Sequence, residues 1–574
     1  MSRAPYLPCL AVVLATGCSA ASPVGKSMVQ APGETKVVEA GDETERGDGG
    51  EPGASAAESK AKPEVGRARR ACAAKDIAAC FRLANMHWRG EAGWIDGDAA
   101  IEAVRAAVAV DRDRALALEK KACDGGNALE CQTLGLVYWF GIGVPRDNAH
   151  ASLLFVRACD GGNAEGCVSL GIQYDRGEGA PQNKEQAAQL FHRACEAGSA
   201  RGCFFLAYAF GHGIGVSQDK LEATRLYQGA CDARLPDACG SLAAQYWYGD
   251  GVPSDKPRAT RLYERMCAGG GAATRLGCGG LGYSYSQGQG VPQEKAKAAA
   301  LFQRACESGY PDGCFELGLA YSKGAGVQKD GAKAVQFYRK GCDTGSAKGC
   351  SNLGVAYYKG ASVPQDKAVG AALFGQACDG GEAVSCGMLA TLLENGDGVS
   401  KDLARAAALF QKGCDGGHAQ CCSNLGEMHS HGRGVAVDAR RAAQLYAKAC
   451  EGGYAQGCAN LALAYHKGEG LPQDDARAAS LAEIACRGGE GWGCSMLADA
   501  YMRGTGVPLD RARAVQLYQQ ACDGGDASAC SNLGRRYQAG DGVPKDPATA
   551  AKLYGRACKL GDAVGCAGPP SAKP

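Results

Sequence analysis

The apolar positions of this chain recur in a fixed register. The stretch CDGGNAEGCVSLGIQYDRGEGAPQNKEQAAQLFHRAC, from Cys159 to Cys195, is one copy of a pattern that runs to the end of the chain. Counting from the second cysteine of each copy, position +3 is always Leu, as at Leu83, Leu170, Leu353 and Leu533. Position +4 is always Gly or Ala, and +7 is usually Tyr, as at Tyr138, Tyr174, Tyr321 and Tyr537. Positions 0, +3, +4 and +7 form one stripe of a helix, here helix A. The small residue at +4 lets a neighbouring helix come close. Helix A stops at a Gly at +10, such as Gly177, Gly360 or Gly540, where a left-handed residue is favoured.

Turn chemistry follows, as in Gly249-Asp250-Gly251-Val252-Pro253. A second helix, B, carries Ala-Ala pairs and a Leu-Phe or Leu-Tyr pair, such as Leu190-Phe191 and Leu517-Tyr518, and ends at the next Ala-Cys. Helices of about 10 and 12 residues are marginal alone in water, so they must be held by stacking on neighbours. The expected fold is all-α: a solenoid of about thirteen helical hairpins with a 36-residue period, spanning 71–568. The step is longer once, after Cys267, and the repeat that opens at Cys72 carries a 15-residue insertion around Trp94 to Asp113.

Composition changes the picture mainly through cysteine, of which the 574 residues hold 31. Thirteen pairs have the spacing C-x7-C: Cys72 and Cys80, Cys123 and Cys131, Cys159 and Cys167, Cys195 and Cys203, Cys231 and Cys239, Cys306 and Cys314, Cys342 and Cys350, Cys378 and Cys386, Cys414 and Cys422, Cys450 and Cys458, Cys486 and Cys494, Cys522 and Cys530, Cys558 and Cys566. Cys267 and Cys278 are spaced C-x10-C. Eight residues of continuous helix would separate the Cα atoms by about 12 Å, whereas a disulfide tolerates at most about 7 Å. A bonded pair therefore requires a chain reversal, which the intervening Asp-Gly-Gly or Glu-Ala-Gly supplies. Each bridge would staple the end of helix B to the start of the next helix A. Metal binding is the rival reading, but there is no CxxC and His does not recur in register. Cys421, beside Cys422, is left over. Either could pair with Cys414, and the period favours Cys422.

Residues 1–17 read as an export signal, with Arg3 before the apolar run Cys9 to Ala15. Ala15-Thr16-Gly17-Cys18 resembles the lipobox of bacterial lipoproteins, although Leu14 sits one place early. The resemblance implies lipidation of Cys18, and Ser19 rather than Asp follows it. The expected location is the bacterial cell envelope, as an outer-membrane lipoprotein facing the periplasm or the cell surface. From 18 to 70 the composition turns to Gly, Ala, Glu, Pro and Ser, and residues 34–51 carry seven acids against two bases. Such a segment buries too little apolar surface to order itself and reads as a tether, with a reach of roughly 35–45 Å for about 50 flexible residues. Residues 569–574 read as a disordered tail. No apolar run reaches transmembrane length. Charge is balanced, 62 Lys+Arg against 61 Asp+Glu, so no basic excess drives binding to nucleic acid.

The pattern L-G-x-x-Y-x-x-G-x-G-V-x-x-D followed by A-x-x-L-[FY]-x-x-A resembles Sel-one-like repeats, relatives of the tetratricopeptide repeat. The cysteine pairs narrow the resemblance to the exported, cysteine-rich Hcp-type members. It covers about 72–566 and implies a right-handed α/α superhelix acting as an adaptor or scaffold. In tetratricopeptide relatives helix A lines the concave groove. Asn recurs at +2, at Asn352, Asn424, Asn460 and Asn532, and an Asn amide can both donate to and accept from a peptide backbone. These residues form the candidate groove for a protein or peptide partner. Stabilisation of helix starts is the competing reading.

Some cysteine-rich members of the family are labelled β-lactamases or penicillin-binding proteins, so an amide hydrolase is the alternative function. The residues argue against an enzyme. Ser217-Gln218-Asp219-Lys220 matches Ser-x-x-Lys, but it falls in the inter-helix turn where other copies read Pro-Gln-Asp-Lys, and no Lys-Thr-Gly or Ser-Asp-Asn accompanies it. The recurring G-x-G follows a helix and lacks a third Gly, so it is not a dinucleotide fingerprint. No cofactor or metal is expected. The one irregular cluster is His418, Cys421, His429 and His431; Cys421 and His429 stand eight apart on helix A, too far to share an ion. His429 replaces the packing Tyr and reads as a core substitute.

Overall fold

A computed structural model describes residues 56–88 and 97–567, all helix and turn with no strand among them. The signal, Cys9, Cys18 and the tail at 569–574 lie outside the described residues, as does the tether up to 55. The chain divides into two compact bodies, one ending at Ala334 and one beginning at Val335. Within each, helices A and B alternate and consecutive helices pack on one another, which makes each body a solenoid of helical hairpins.

The first helices are α1 (Ala56–Ala73), α2 (Ile77–Trp88), α3 (Gly97–Val110), α4 (Arg112–Asp124), α5 (Ala128–Phe140), α6 (Asn148–Asp160) and α7 (Ala164–Arg176). α1 corrects the expectation of a tether as far as residue 70. Val65 and Ala68 are buried against the first hairpin, and Cys72, one turn further along the same stripe, is bonded to Cys80. That apolar stripe at three- and four-residue spacing orders a segment whose average composition looked unstructured.

A regular repeat is two helices of thirteen residues, longer than the apolar pattern alone indicates, because caps extend both ends. Helix A of the specimen is capped by Asn163, whose side chain accepts from the Gly166 amide. Helix B is capped by Asn183, which accepts from Gln186. In most other repeats an Asp does the same for helix B, for example Asp147, Asp402 and Asp510. The amide of the helix B cap also donates back to the carbonyl at +7 of helix A, Asn183 to Tyr174 at 2.9 Å, which closes the hairpin. The two glycines of G-x-G have separate causes. Gly177 ends helix A at φ 72°. At Gly179 a Cβ would stand 2.3 Å from the Asn148 carbonyl oxygen in the preceding repeat, so the second Gly allows close stacking.

The stripe of helix A is wider than positions 0, +3, +4 and +7. Position +6 is as buried as the core, at Val137, Ala356 and Met428, while the +7 ring is mostly half-buried. Helix A is packed by its own helix B, by the preceding helix B and by the next helix A, so a single 3.6-period stripe underestimates its covered arc. The +7 ring lies at the margin, often under a cation from the start of helix B. Arg258 sits 4.3 Å from the Tyr246 ring centre and Lys297 4.1 Å from that of Tyr285.

Fourteen disulfides close at the joints between repeats. They join each C-x7-C pair, Cys267 to Cys278, and Cys414 to Cys422, with Cα separations of 4.5–4.7 Å. Cys421 is the free thiol among the described residues. The same joints are tied by charge. Arg157 reaches back to Asp124 at 3.1 Å and to the Cys123 carbonyl at 3.1 Å, and Arg193 repeats this on Asp160 and Cys159. A cation thereby meets the exposed carbonyls at the end of the preceding helix B.

Candidate functional site

The register brings the +2 positions of successive A helices onto one face. Asn352, Asn424, Asn460 and Asn532 are all half-buried. They do not cap helix A: that position falls six residues earlier, at Ser346, His418, Tyr454 and Asp526. Asn460 is instead a tie between repeats. Its amide donates to Ser423 Oγ at 3.3 Å and to Glu427 Oε1 at 3.2 Å on the preceding helix A. Glu427 also lies 3.7 Å from Arg433, which pairs with Glu394 at 2.7 Å. In the N-terminal body the corresponding face is tied by Arg201 and Ser199, which both donate to Glu165. Apart from Glu427 with Arg433, these contacts are invisible in a single repeat, because they join residues about one period apart.

The irregular cluster is a packing arrangement. Cys421 occupies the place before the second cysteine where most other repeats carry Gly or Ala. Its sulfur lies over Gly387 and Gly413, either of which would place a Cβ 2.6 Å from it. Other repeats mostly have Ala where Gly413 stands, so a larger residue on one helix is met by a smaller one on the other. That exchange was a signal available in the sequence. His418 Nδ1 lies 3.0 Å from the Cys421 sulfur. Burial pushes the thiol up to about 12 and the imidazole down. His429 is half-buried, with Nδ1 3.3 Å from the Ala436 carbonyl oxygen, so it is not the core substitute expected from its register; the +7 position itself lies at the core margin. His431 lies 2.9 Å from the Glu427 carbonyl oxygen. Among the described residues no group of three or more His, Cys, Asp or Glu is placed to hold a metal ion.

Ser217 is exposed in its turn. Lys220 begins the following helix B, and its ammonium pairs with Asp250 of the next repeat. The structure thus places Lys220 in a tie between repeats.

The register of Leu, small residue, Tyr and Gly, closed by a bridge at each joint, has a counterpart among known families. The Sel1 repeat family matches residues 77–105, 134–163, 164–199, 200–234, 236–271, 272–310, 311–346, 347–382, 383–418, 419–454, 455–490, 493–526 and 527–562. The chain belongs to the Sel1 repeat family. Among solved structures, the Sel1 array is similar to c5321, a protective antigen of uropathogenic Escherichia coli with an SLR fold: 28% identity over 72% of this chain and 89% of that one, TM-score 0.48. A Sel1 repeat protein from Oxalobacter formigenes is 25% identical over 55% of this chain and 90% of its own, TM-score 0.38. Helicobacter pylori cysteine-rich protein B is 33% identical over 23% of this chain and 94% of its own, TM-score 0.20. No curated protein matches the chain. Sel1 arrays generally serve as scaffolds for protein partners rather than as enzymes. Fourteen bridges suit an oxidising compartment, and no helix among the described residues is long and apolar enough to cross a membrane.

Proposed function

We propose that this Sel1 array is an exported scaffold of the bacterial cell envelope, anchored by a lipid on Cys18, that binds a protein or an extended peptide on its helix A face. The observation that carries the reading is the register itself: thirteen copies repeat their packing residues faithfully, while the off-core positions of helix A change from copy to copy. A catalytic site would require one polar constellation that breaks the repeat. Changing side chains on a constant frame serve recognition instead. The half-buried amides at Asn352, Asn424 and Asn532 would meet a peptide backbone, with Asn460 and Glu427 holding successive A helices in register.

The test is site-specific photocrosslinking in intact cells. A photoreactive residue at Asn424 should capture a discrete envelope protein, whereas one on helix B at Gln411 should not. Equal capture from both positions, or none from either, would refute the helix A face. Separately, Cys18→Ser should move the protein from the membrane to the soluble envelope fraction. Unchanged partition would remove the anchor and leave the scaffold reading standing.

A further inference from the structure

The repeat with the inserted helix differs from the others in a way that simple packing does not explain. Elsewhere the residue four before the first cysteine is usually a large helix B side chain seated on helix A, such as Phe155, Phe191 or Tyr227. α4 has the length and the Asp cap of a helix B, from Asp111 to Cys123. However, α3 has taken the place against α2 where helix B packs, and α4 is left against α5 and, lightly, α3. In the aromatic slot α4 carries Glu119, only 3% exposed. Before the second cysteine, where Gly166 and Gly202 stand elsewhere, α5 carries Glu130.

The two carboxyl groups face each other between the two helices. One oxygen of each, Oε2, is buried with no hydrogen-bond partner, and so are both amide atoms of Gln132, fully buried on α5. Four of the six such side-chain atoms among the described residues therefore lie on these two helices. A buried polar group left unbonded costs free energy that opening to water recovers. Burial beside a second carboxylate disfavours the charged form of Glu119, so Glu119 holds its proton. Burial and the facing Glu130 push Glu119 up to about 10. The other charged side chains nearby are engaged elsewhere. Glu102 and Arg105 of α3 pair with each other, Arg157 of α6 holds Asp124 and the Cys123 carbonyl, and Glu165 of α7 binds Ser199 and Arg201. Lys120 and Lys121 of α4 are exposed.

We propose that the α4–α5 seam is a proton-held joint in the array, closed in acid while buried Glu119 keeps its proton beside Glu130 and loosened as the pH rises. Once the seam opens, Glu119 meets water and ionises near the ordinary value for Glu, about 4.3. Between that pH and the much higher one at which buried Glu119 ionises, each opening releases a proton. The closed state binds more protons than the open one, so its stability is full below the open-state value and is lost as pH rises. The opening constant increases by up to about tenfold per pH unit.

Hydrogen exchange of the full, oxidised chain at pH 5.5, 6.5 and 7.5 tests this, with intrinsic exchange rates divided out. Amides of 112–140 should lose protection by up to tenfold per pH unit, while those of 455–503 stay flat. Glu119→Gln should abolish the slope, and so should Glu119→Leu, which replaces the carboxyl with an apolar side chain if the first variant fails to fold. Flat protection in the wild-type chain overturns the proposal. So does a slope shared by all segments, which would report global unfolding, or a slope that persists in either Glu119 variant.

Discussion

Phe155 closes over the backbone of Gly135: a Cβ at 135 would stand 2.5 Å from ring carbon Cε1. The same contact recurs at Gly171 and Phe191 and at Gly426 and Tyr446, each at 2.6 Å. The small residue at +4 is therefore the floor of an aromatic seat, and the seat sets how closely helix B approaches helix A. Gly171→Ala should cost about 1–3 kcal/mol, the usual penalty of overpacking. Phe191→Leu should recover part of that loss in the double variant. Local hydrogen-exchange protection of 164–196 measures both. A neutral Gly171→Ala would mean that the ring adapts and the seat is soft.

The bridges make a second prediction. Non-reducing peptide maps should recover Cys159–Cys167, Cys342–Cys350 and Cys414–Cys422 as local pairs. Replacing both Cys378 and Cys386 by Ser should lower stability by about 2–3 kcal/mol, the chain-entropy value for a loop this short. Links between cysteines one period apart, or zinc bound in proportion to thiol, would contradict the hairpin joint.

The hairpin, its glycines and its joints were legible in the sequence because each is set by residues within one period. Leu170, Gly171 and Gly177 describe helix A without reference to any other repeat. What was not legible joins residues about a period apart, or depends on a displaced helix. The Asn460–Glu427 tie, the Arg157–Asp124 ladder and the burial of Glu119 all require knowing which helix lies against which. α1 was missed because Val65 and Ala68 are sparse within a polar segment, and three apolar positions suffice once a neighbouring hairpin covers them.

Cys421 supports a third prediction. Its sulfur is packed between Gly387 and Gly413, and burial holds the thiol well above neutral pH. A thiol that stays protonated is a poor nucleophile. Iodoacetamide at pH 8 should leave the peptide containing Cys421 unmodified in the native protein and label it after unfolding in guanidinium without reductant. Cys421→Ala should be tolerated, while Gly413→Ala with Cys421 retained should clash and destabilise by about 1–3 kcal/mol. Rapid native labelling would show that the joint opens far more readily than its packing implies.

The final prediction concerns catalysis. A serine nucleophile needs a base within hydrogen-bond reach, and that base must itself be held in place by a third group. Ser217 lies exposed in a turn, and Lys220, its partner in the Ser-x-x-Lys match, is committed to Asp250 of the next repeat. The expected phenotype of Lys220→Ala is accordingly structural: a small loss of stability, typical of an exposed ion pair at roughly 0–1 kcal/mol. Purified, oxidised protein should not turn over a chromogenic β-lactam above background, and Ser217→Ala should change nothing. A burst of acyl-enzyme in the wild-type protein that vanishes in Ser217→Ala, with the disulfides intact, would show that the turn rearranges to free Lys220 from Asp250. The Sel1 array would then be an enzyme whose site forms only when substrate binds.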